Sequence, residues 1–379
     1  MCEPYGNVPK QKRVIKTIPV TDAVGMALAH DVTEIRSGEF KGRAFRKGHI
    51  VKSEDICHLQ RLGKENLFVL SIGDDEMHED EAALAIAEAL MGDGVMMQGE
   101  PNEGKINIVA SRDGLLKVDK KALLRFNLME DVMCATLHDN LPVRKGQIVA
   151  GTRAVPLVVK RAVVEKAVLA VRNTIRVKEL RKPRAGVVIT GNEVYYGRIK
   201  DAFAPIIEKK IKDFNGEIIG IYYAPDDEKM IEDRLIELIE AGADLLITTG
   251  GMSVDPDDVT RFAISKLGAV DITYGSAVLP GAMFLAAYLE QTSEVRSRKS
   301  EGKAKRKNAG RGAYRPKHIP ILGIPACGMY HKATALDLIL PRVLAGEKIG
   351  RRELSKLGHG GLCMNCSECR YPACPFGKG

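Results

Sequence analysis

From Lys182 onward the 379-residue chain alternates apolar runs of strand length with segments of helical period, and few folds accommodate that pattern. Strand, helix and strand in repeated succession imply a parallel sheet covered on its faces. The expected strands are residues 185–190, 217–224, 244–249, 270–274 and 319–324. Between them, residues 228–241 place Met230, Ile231, Leu235, Leu238 and Ile239 on one helical face, so this helix covers the sheet and keeps an acidic side wet.

Residues 1–180 lack that regularity and read as a mixed α+β region. Ser53 is an expected N-cap for a helix ending before Gly63, and a strand is expected at 67–72. Residues 79–91 read as an alanine-rich helix stopped by Gly92, and 105–110 with 115–118 as a hairpin around Arg112-Asp113-Gly114. Arg46-Lys47-Gly48-His49-Ile50-Val51 is echoed by Arg144-Lys145-Gly146-Gln147-Ile148-Val149. Two readings are open: a pair of basic loops facing one ligand, or two similar turns.

Charge and composition narrow the partners. A net charge of +8 attracts phosphorylated ligands, nucleic acids and acidic proteins alike. With aromatics at 5% and no Trp, a base-stacking surface is poorly supplied, so nucleic acid is not expected as a partner. The polar basic run at 291–318 reads as a flexible insertion, either a solvated loop or a clamp for phosphate or an acidic tail. Neither a secretory apolar segment nor a membrane-spanning run occurs, so a cytoplasmic protein without a membrane partner is expected.

In an open parallel sheet, the loops after the strands surround a crevice along one edge. The first such loop is Thr190-Gly191-Asn192-Glu193, followed by Asp201 as a candidate helix cap. The second is Ala224-Pro225-Asp226-Asp227, in which one aspartate is expected to cap the next helix. The third, Thr248-Thr249-Gly250-Gly251-Met252-Ser253, sets paired glycines and hydroxyls at a strand end, where backbone amides converge on an anion. Carboxylates repel phosphate, so Asp226, Asp227 and Asp258 make sense beside it if Mg²⁺ bridges them to the ligand. No P-loop sequence occurs at these strand ends.

These motifs, in this order, resemble the molybdopterin-binding domain shared by molybdopterin adenylyltransferases and molybdopterin molybdotransferases. The Thr-Thr-Gly-Gly and Ser-Val elements are closer to the molybdotransferase branch, and Asp257-Asp258-Val259-Thr260 to the adenylyltransferase branch. Leu279-Pro280-Gly281 and Pro325-Ala326-Cys327-Gly328 stand where the family carries two Pro-Gly segments, although Ala326-Cys327 replaces its Gly-Asn pair. Residues 21–32 are similar to the opening of the molybdotransferase, but its Asp-Gly-Tyr-Ala motif does not follow them, and its C-terminal β-domain is not expected in the stretch after Gly346. The resemblance implies a three-layer αβα domain at 181–346, preceded by the mixed region at 1–180 and followed by a tail at 347–379. It further implies molybdopterin contacts from Thr190, Gly191, Asn192, Glu193, Asp201, Thr249, Gly250, Gly251, Ser253, Pro280 and Gly281.

The tail carries Cys363, Cys366, Cys369 and Cys374 in a C-x₂-C-x₂-C-x₄-C run that suits a metal better than a redox disulfide. Zn²⁺ and an iron–sulfur cluster both accept four thiolates. The spacing and the following Pro375 resemble bacterial ferredoxins. His359 is a further possible ligand.

Two functions of different class follow. One is a molybdotransferase-like enzyme that binds molybdopterin or its adenylylated form and inserts molybdate or tungstate, with Asp226, Asp227 and Asp258 placing Mg²⁺. The other is a carrier or sensor that delivers finished cofactor to a molybdoenzyme client. In either case a homo-oligomer is expected.

Overall fold

The computed structural model describes residues 15–36, 40–70, 72–252, 258–290 and 318–379. Ser253 and residues 291–317 of the expected basic insertion lie outside the described residues. The chain divides into two compact units: Met1–Arg112, Val118–Leu137 and Lys145–Val177 form one, and Asp113–Lys117, His138–Arg144 and Lys178–Gly379 the other.

The second unit is built on a six-stranded sheet. Its strands in chain order are β1 (Arg184–Thr190), β2 (Glu217–Ala224), β3 (Leu245–Thr249), β4 (Val270–Tyr274), β5 (Leu285–Glu290) and β6 (His318–Ile324). Across the sheet they lie in the order β2-β1-β3-β6-β5-β4. β1, β2, β3 and β6 pair in parallel, and β5 runs antiparallel to both β6 and β4. The five strands expected from sequence run in one direction as a parallel sheet requires; β5 is an addition to them, and it reverses direction among otherwise co-directional strands.

Burial explains why the strands read as continuous apolar runs. Val187, Ile189, Ile247 and Leu322 point into one core with Phe203, Ile207 and Ile211 of α2 (Phe203–Lys212) and Leu336, Ile339 and Val343 of α5 (Ala335–Leu344). The intervening Val188, Leu246 and Ile321 point the other way, onto Ile231, Leu235 and Leu238 of α3 (Glu228–Glu240) and Ile264 of α4 (Thr260–Lys266). Helices therefore cover both faces, giving three αβα layers, and each such buried side chain stabilises by about 1.5–3 kcal/mol. A short helix, α1 (Asn192–Tyr195), follows β1, and α6 (Arg351–Lys356) follows α5. The tail belongs to this unit: Ile349, Leu354 and Phe376 are buried in the α2/α5 core.

The first unit is mixed α+β. Val20, Leu28, Val32, Phe45, Val51, Leu59, Leu67 and Val69 make a small core of their own. The helix expected after Ser53 is a 3₁₀ turn, Ser53–Asp55, leading into Ile56–Arg61. Further along, an antiparallel sheet combines Val95–Asn102, Lys105–Ala110, Ile148–Ala154 and Val132–Thr136, with the helix Glu79–Leu90 packed through Ala83 and Ala87 onto Ile106. The expected hairpin at 105–118 does not form. Lys105–Ala110 pairs instead with Val95–Asn102 and Ile148–Ala154, and Gly114 and Leu115 pair with Val143 and Pro142. Both copies of the Arg-Lys-Gly repeat are tight turns, with Gly48 at φ +86° and Gly146 at φ +82°. Among the described residues, no helix is long and apolar enough to cross a membrane.

Candidate functional site

Parallel register brings the strand ends together. Thr190 pairs with Ala224, Ile189 with Thr249, and Thr249 with Ile324, so the loops that follow β1, β2, β3 and β6 open on one edge of the sheet. Between the neighbours β1 and β3 the chain departs in opposite directions, to α2 on one face and α4 on the other. Divergence of this kind opens a crevice.

Side chains knit the loops to one another. The Thr190 hydroxyl donates to the Thr249 carbonyl at 2.8 Å and lies 3.1 Å from the hydroxyl of Thr260, the first residue of α4. Gly250 and Gly251 follow at φ +78° and +55°, pressed so closely that a Cβ would sit 2.4 Å from the Thr190 carbonyl at the first and 2.3 Å from Thr260 Oγ1 at the second. Glycine is required twice, for left-handed backbone and for contact with a neighbouring loop. The Thr248 and Thr249 hydroxyls are buried without a hydrogen-bond partner among the described residues. A buried hydroxyl left unpaired costs about 1–3 kcal/mol.

Asn192 and Asp226 join the first two loops reciprocally: the Asn192 amide donates to Asp226 Oδ2 at 3.0 Å, and the Asp226 amide donates to Asn192 Oδ1 at 3.3 Å. Glu193 folds its carboxylate back toward Gly191. On the far side of the edge, Gly281 sits against the start of α5, with the Ala335 amide donating to the Pro280 carbonyl at 3.2 Å and Ser276 Oγ donating to the Gly281 carbonyl at 2.7 Å. Burial pushes the Cys327 thiol up, opposed by its own amide and that of Gly281, which places Cys327 beside this segment.

A sequence-family model described as "Probable molybdopterin binding domain" matches residues 186–345, the stretch that contains all of these loops. The domain belongs to that molybdopterin-binding family. A second model, described as a domain of unknown function, matches residues 17–71. A CinA-like protein of Mycobacterium avium is 39% identical over 83 residues, which is 22% of this chain and 19% of that protein. A CinA-like protein of Mycolicibacterium gilvum is 36% identical over 83 residues, 22% of this chain and 20% of its own. The chain thus spans only about a fifth of the length of these relatives. Among solved structures, the tungsten cofactor synthesizing protein MoaB of Pyrococcus furiosus aligns with 42% of this chain and 92% of its own at 18% identity and TM-score 0.31. The MoaB enzyme of Thermus thermophilus aligns with 44% and 98% at 19% identity and TM-score 0.31.

Two of the aspartates named from sequence are taken up by helix ends in the molybdopterin-binding domain. Asp201 accepts from the amides of Phe203 at 2.7 Å and Ala204 at 3.1 Å, and from the Tyr223 hydroxyl at 3.2 Å. Asp227 is the N-cap of α3, accepting from the Met230 amide at 2.8 Å. Among the described residues no group of three or more His, Cys, Asp or Glu gathers tightly enough to hold an ion, so Asp226, Asp227 and Asp258 do not form a three-carboxylate cage.

Sequence reasoning passed over the Thr260 hydroxyl and, in the first unit, a cleft of about 1110 Å³ lined by His78 and Glu79. His78 caps the helix Glu79–Leu90 through Nδ1, which accepts from the Asp80 amide at 3.2 Å, while its Nε2 is buried without a partner among the described residues. Burial keeps the His78 ring below its ordinary pKa, and burial together with Asp80 raises Glu79 to about 7.

Proposed function

We propose that the domain binds molybdopterin, or its adenylylated form, along the edge formed by Thr190, Asn192, Thr249, Gly250, Gly251 and Gly281, and that the chain assists insertion of molybdate or tungstate. The observation that carries this reading is the turn at Gly250-Gly251, held in left-handed backbone by Thr190 and Thr260 next to the Thr249 hydroxyl, which has no partner among the described residues. Such a turn presents amide and hydroxyl donors to an anionic group.

Mg²⁺ commonly needs only one or two carboxylates together with substrate phosphate, so the absence of a three-carboxylate cage is compatible with it. Asp226, which also accepts from the Asn192 amide, and Asp258 are the residues assigned to it, and Asp227 caps α3. Held there, the ion would offset phosphate charge. The same reading makes Cys363, Cys366, Cys369 and Cys374 ligands of a metal centre, and it calls for a homo-oligomer and a molybdoenzyme client as partners.

A carrier function is the second reading. It is favoured by Ala326-Cys327 in place of the family's Gly-Asn pair and by the use of Asp227 as a cap. Full-length protein given adenylylated molybdopterin, molybdate and Mg²⁺ separates the two. Release of AMP supports the transferase, stable binding without turnover supports the carrier, and failure to bind removes both.

A further inference from the structure

The tail of the second unit is held at both ends. The Leu279 amide donates to the Gly361 carbonyl and the Cys363 amide donates to the Leu279 carbonyl, each at 2.8 Å, so the first cysteine is fixed against the segment leading into Pro280 and Gly281. Beyond the cysteines, the Tyr371 hydroxyl donates to the Asp337 carbonyl at 2.9 Å, Phe376 is 3% exposed, and the Gly377 amide donates to the Gly360 carbonyl at 2.9 Å. Between these anchors the chain has neither helix nor strand. Ordering each residue of such a loop costs about 1–2 kcal/mol of conformational entropy, and a bound metal is a common way to offset it.

All four tail cysteines line one cavity of about 170 Å³, together with residues 330–333. They are free thiols. The Asn365 amide donates to Cys363 Sγ at 3.4 Å, and Arg370 and Lys332 also line the cavity.

Two occupants suit four thiolates. Tetrahedral zinc would draw every sulfur to about 2.3 Å from a single point. All four cysteines are among the residues that line the cavity, and among the described residues no three His, Cys, Asp or Glu side chains gather closely enough to hold a single ion. An iron–sulfur cluster sets its thiolates farther apart than zinc does, because they bind separate irons around a core of several atoms. The short C-x₂-C-x₂-C spacing points the same way.

We propose that Cys363, Cys366, Cys369 and Cys374 ligate one four-iron cluster in this cavity, which deepens the metal-centre part of the functional reading and rests on it. Iron, acid-labile sulfide, zinc and pterin are measured on one sample of the full chain purified without oxygen. The expected result is about four irons and four sulfides per chain, with a visible chromophore that dithionite bleaches. Cys366→Ser and Cys369→Ser alter exposed positions; each is expected to lose most of the iron and the chromophore while keeping the wild-type far-ultraviolet circular dichroism. One zinc per chain without sulfide, or a tail without metal, overturns the proposal. Pterin without a cluster sinks this inference alone; a cluster without pterin supports it and sinks the pterin reading.

Discussion

The hydroxyl of Thr190 donates to the carbonyl of Thr249 across the ends of two neighbouring strands, at 2.8 Å and fully within the protein. Thr260 joins the same knot from the first turn of α4. The glycine turn after Thr249 is therefore shaped by β1 and α4 as much as by its own sequence, and its conformation is set before any ligand arrives.

Thr190→Val keeps the volume of the side chain and removes the donor. The Thr249 carbonyl and the Thr260 hydroxyl lose a buried partner, at an expected cost of about 1–3 kcal/mol in chemical denaturation of the full chain. A midpoint equal to that of the wild type would show that the knot is not formed in solution.

Gly250→Ala is expected to be worse than Gly197→Ala. Both glycines have positive φ, but a methyl at 197 meets open space whereas one at 250 meets the Thr190 carbonyl. Left-handed backbone alone costs about 1–2 kcal/mol, and the clash adds to it at 250 only. Melting curves of the two variants compare the terms; equal losses contradict the packing described for the turn.

The two adjacent aspartates should separate by phenotype. Asp227→Ala removes the cap of α3 and lowers stability by about 1 kcal/mol, leaving the dependence of pterin binding on Mg²⁺ in place. Asp226→Asn retains an acceptor for the Asn192 amide but weakens that dependence. Titration of Mg²⁺ against pterin binding in both variants decides, and a larger Mg²⁺ effect at 227 than at 226 reverses the assignment.

Glu79 predicts a pH dependence for the first unit. Its folded pKa, raised to about 7 by burial and Asp80, exceeds the unfolded value of 4.5, so folding favours the protonated carboxyl. The resulting stabilisation is complete below pH 4.5 and is lost as pH rises through about 7, with an upper limit of about 3 kcal/mol. Glu79→Gln should flatten the decline in denaturation midpoint between these values, and an unchanged slope would remove Glu79 as its source.

The parallel strands were legible because strands covered on both faces are mostly apolar, and Val187, Val188 and Ile189 advertise that in sequence. β5 was not legible because Leu285, Ala286, Ala287, Tyr288 and Leu289 are all buried, and a short apolar run without alternation reads equally as strand or buried helix. Direction of pairing leaves no local trace either. The false hairpin at 105–118 arose because adjacency favours a local partner, whereas the pairing of Ile106 with Thr152 is settled by distant residues. At the site, Gly250 and Gly251 were readable as a turn with special backbone. Whether Asp201, Asp226 or Asp227 faces a helix end or a ligand depends on where backbone amides point, which composition does not encode. His78 and Glu79 look like an ordinary surface helix start, and only burial sets them apart.

Equilibrium binding of molybdopterin to wild-type and Thr249→Val full-length protein, measured alongside their stabilities, tests the central claim most directly. Removing a hydroxyl that has no partner among the described residues should leave stability unchanged or slightly raised, while pterin affinity falls by about tenfold, the value of one lost hydrogen bond. Absence of saturable binding to the wild type, or equal affinity in the variant, would contradict the placement of the pterin at this sheet edge.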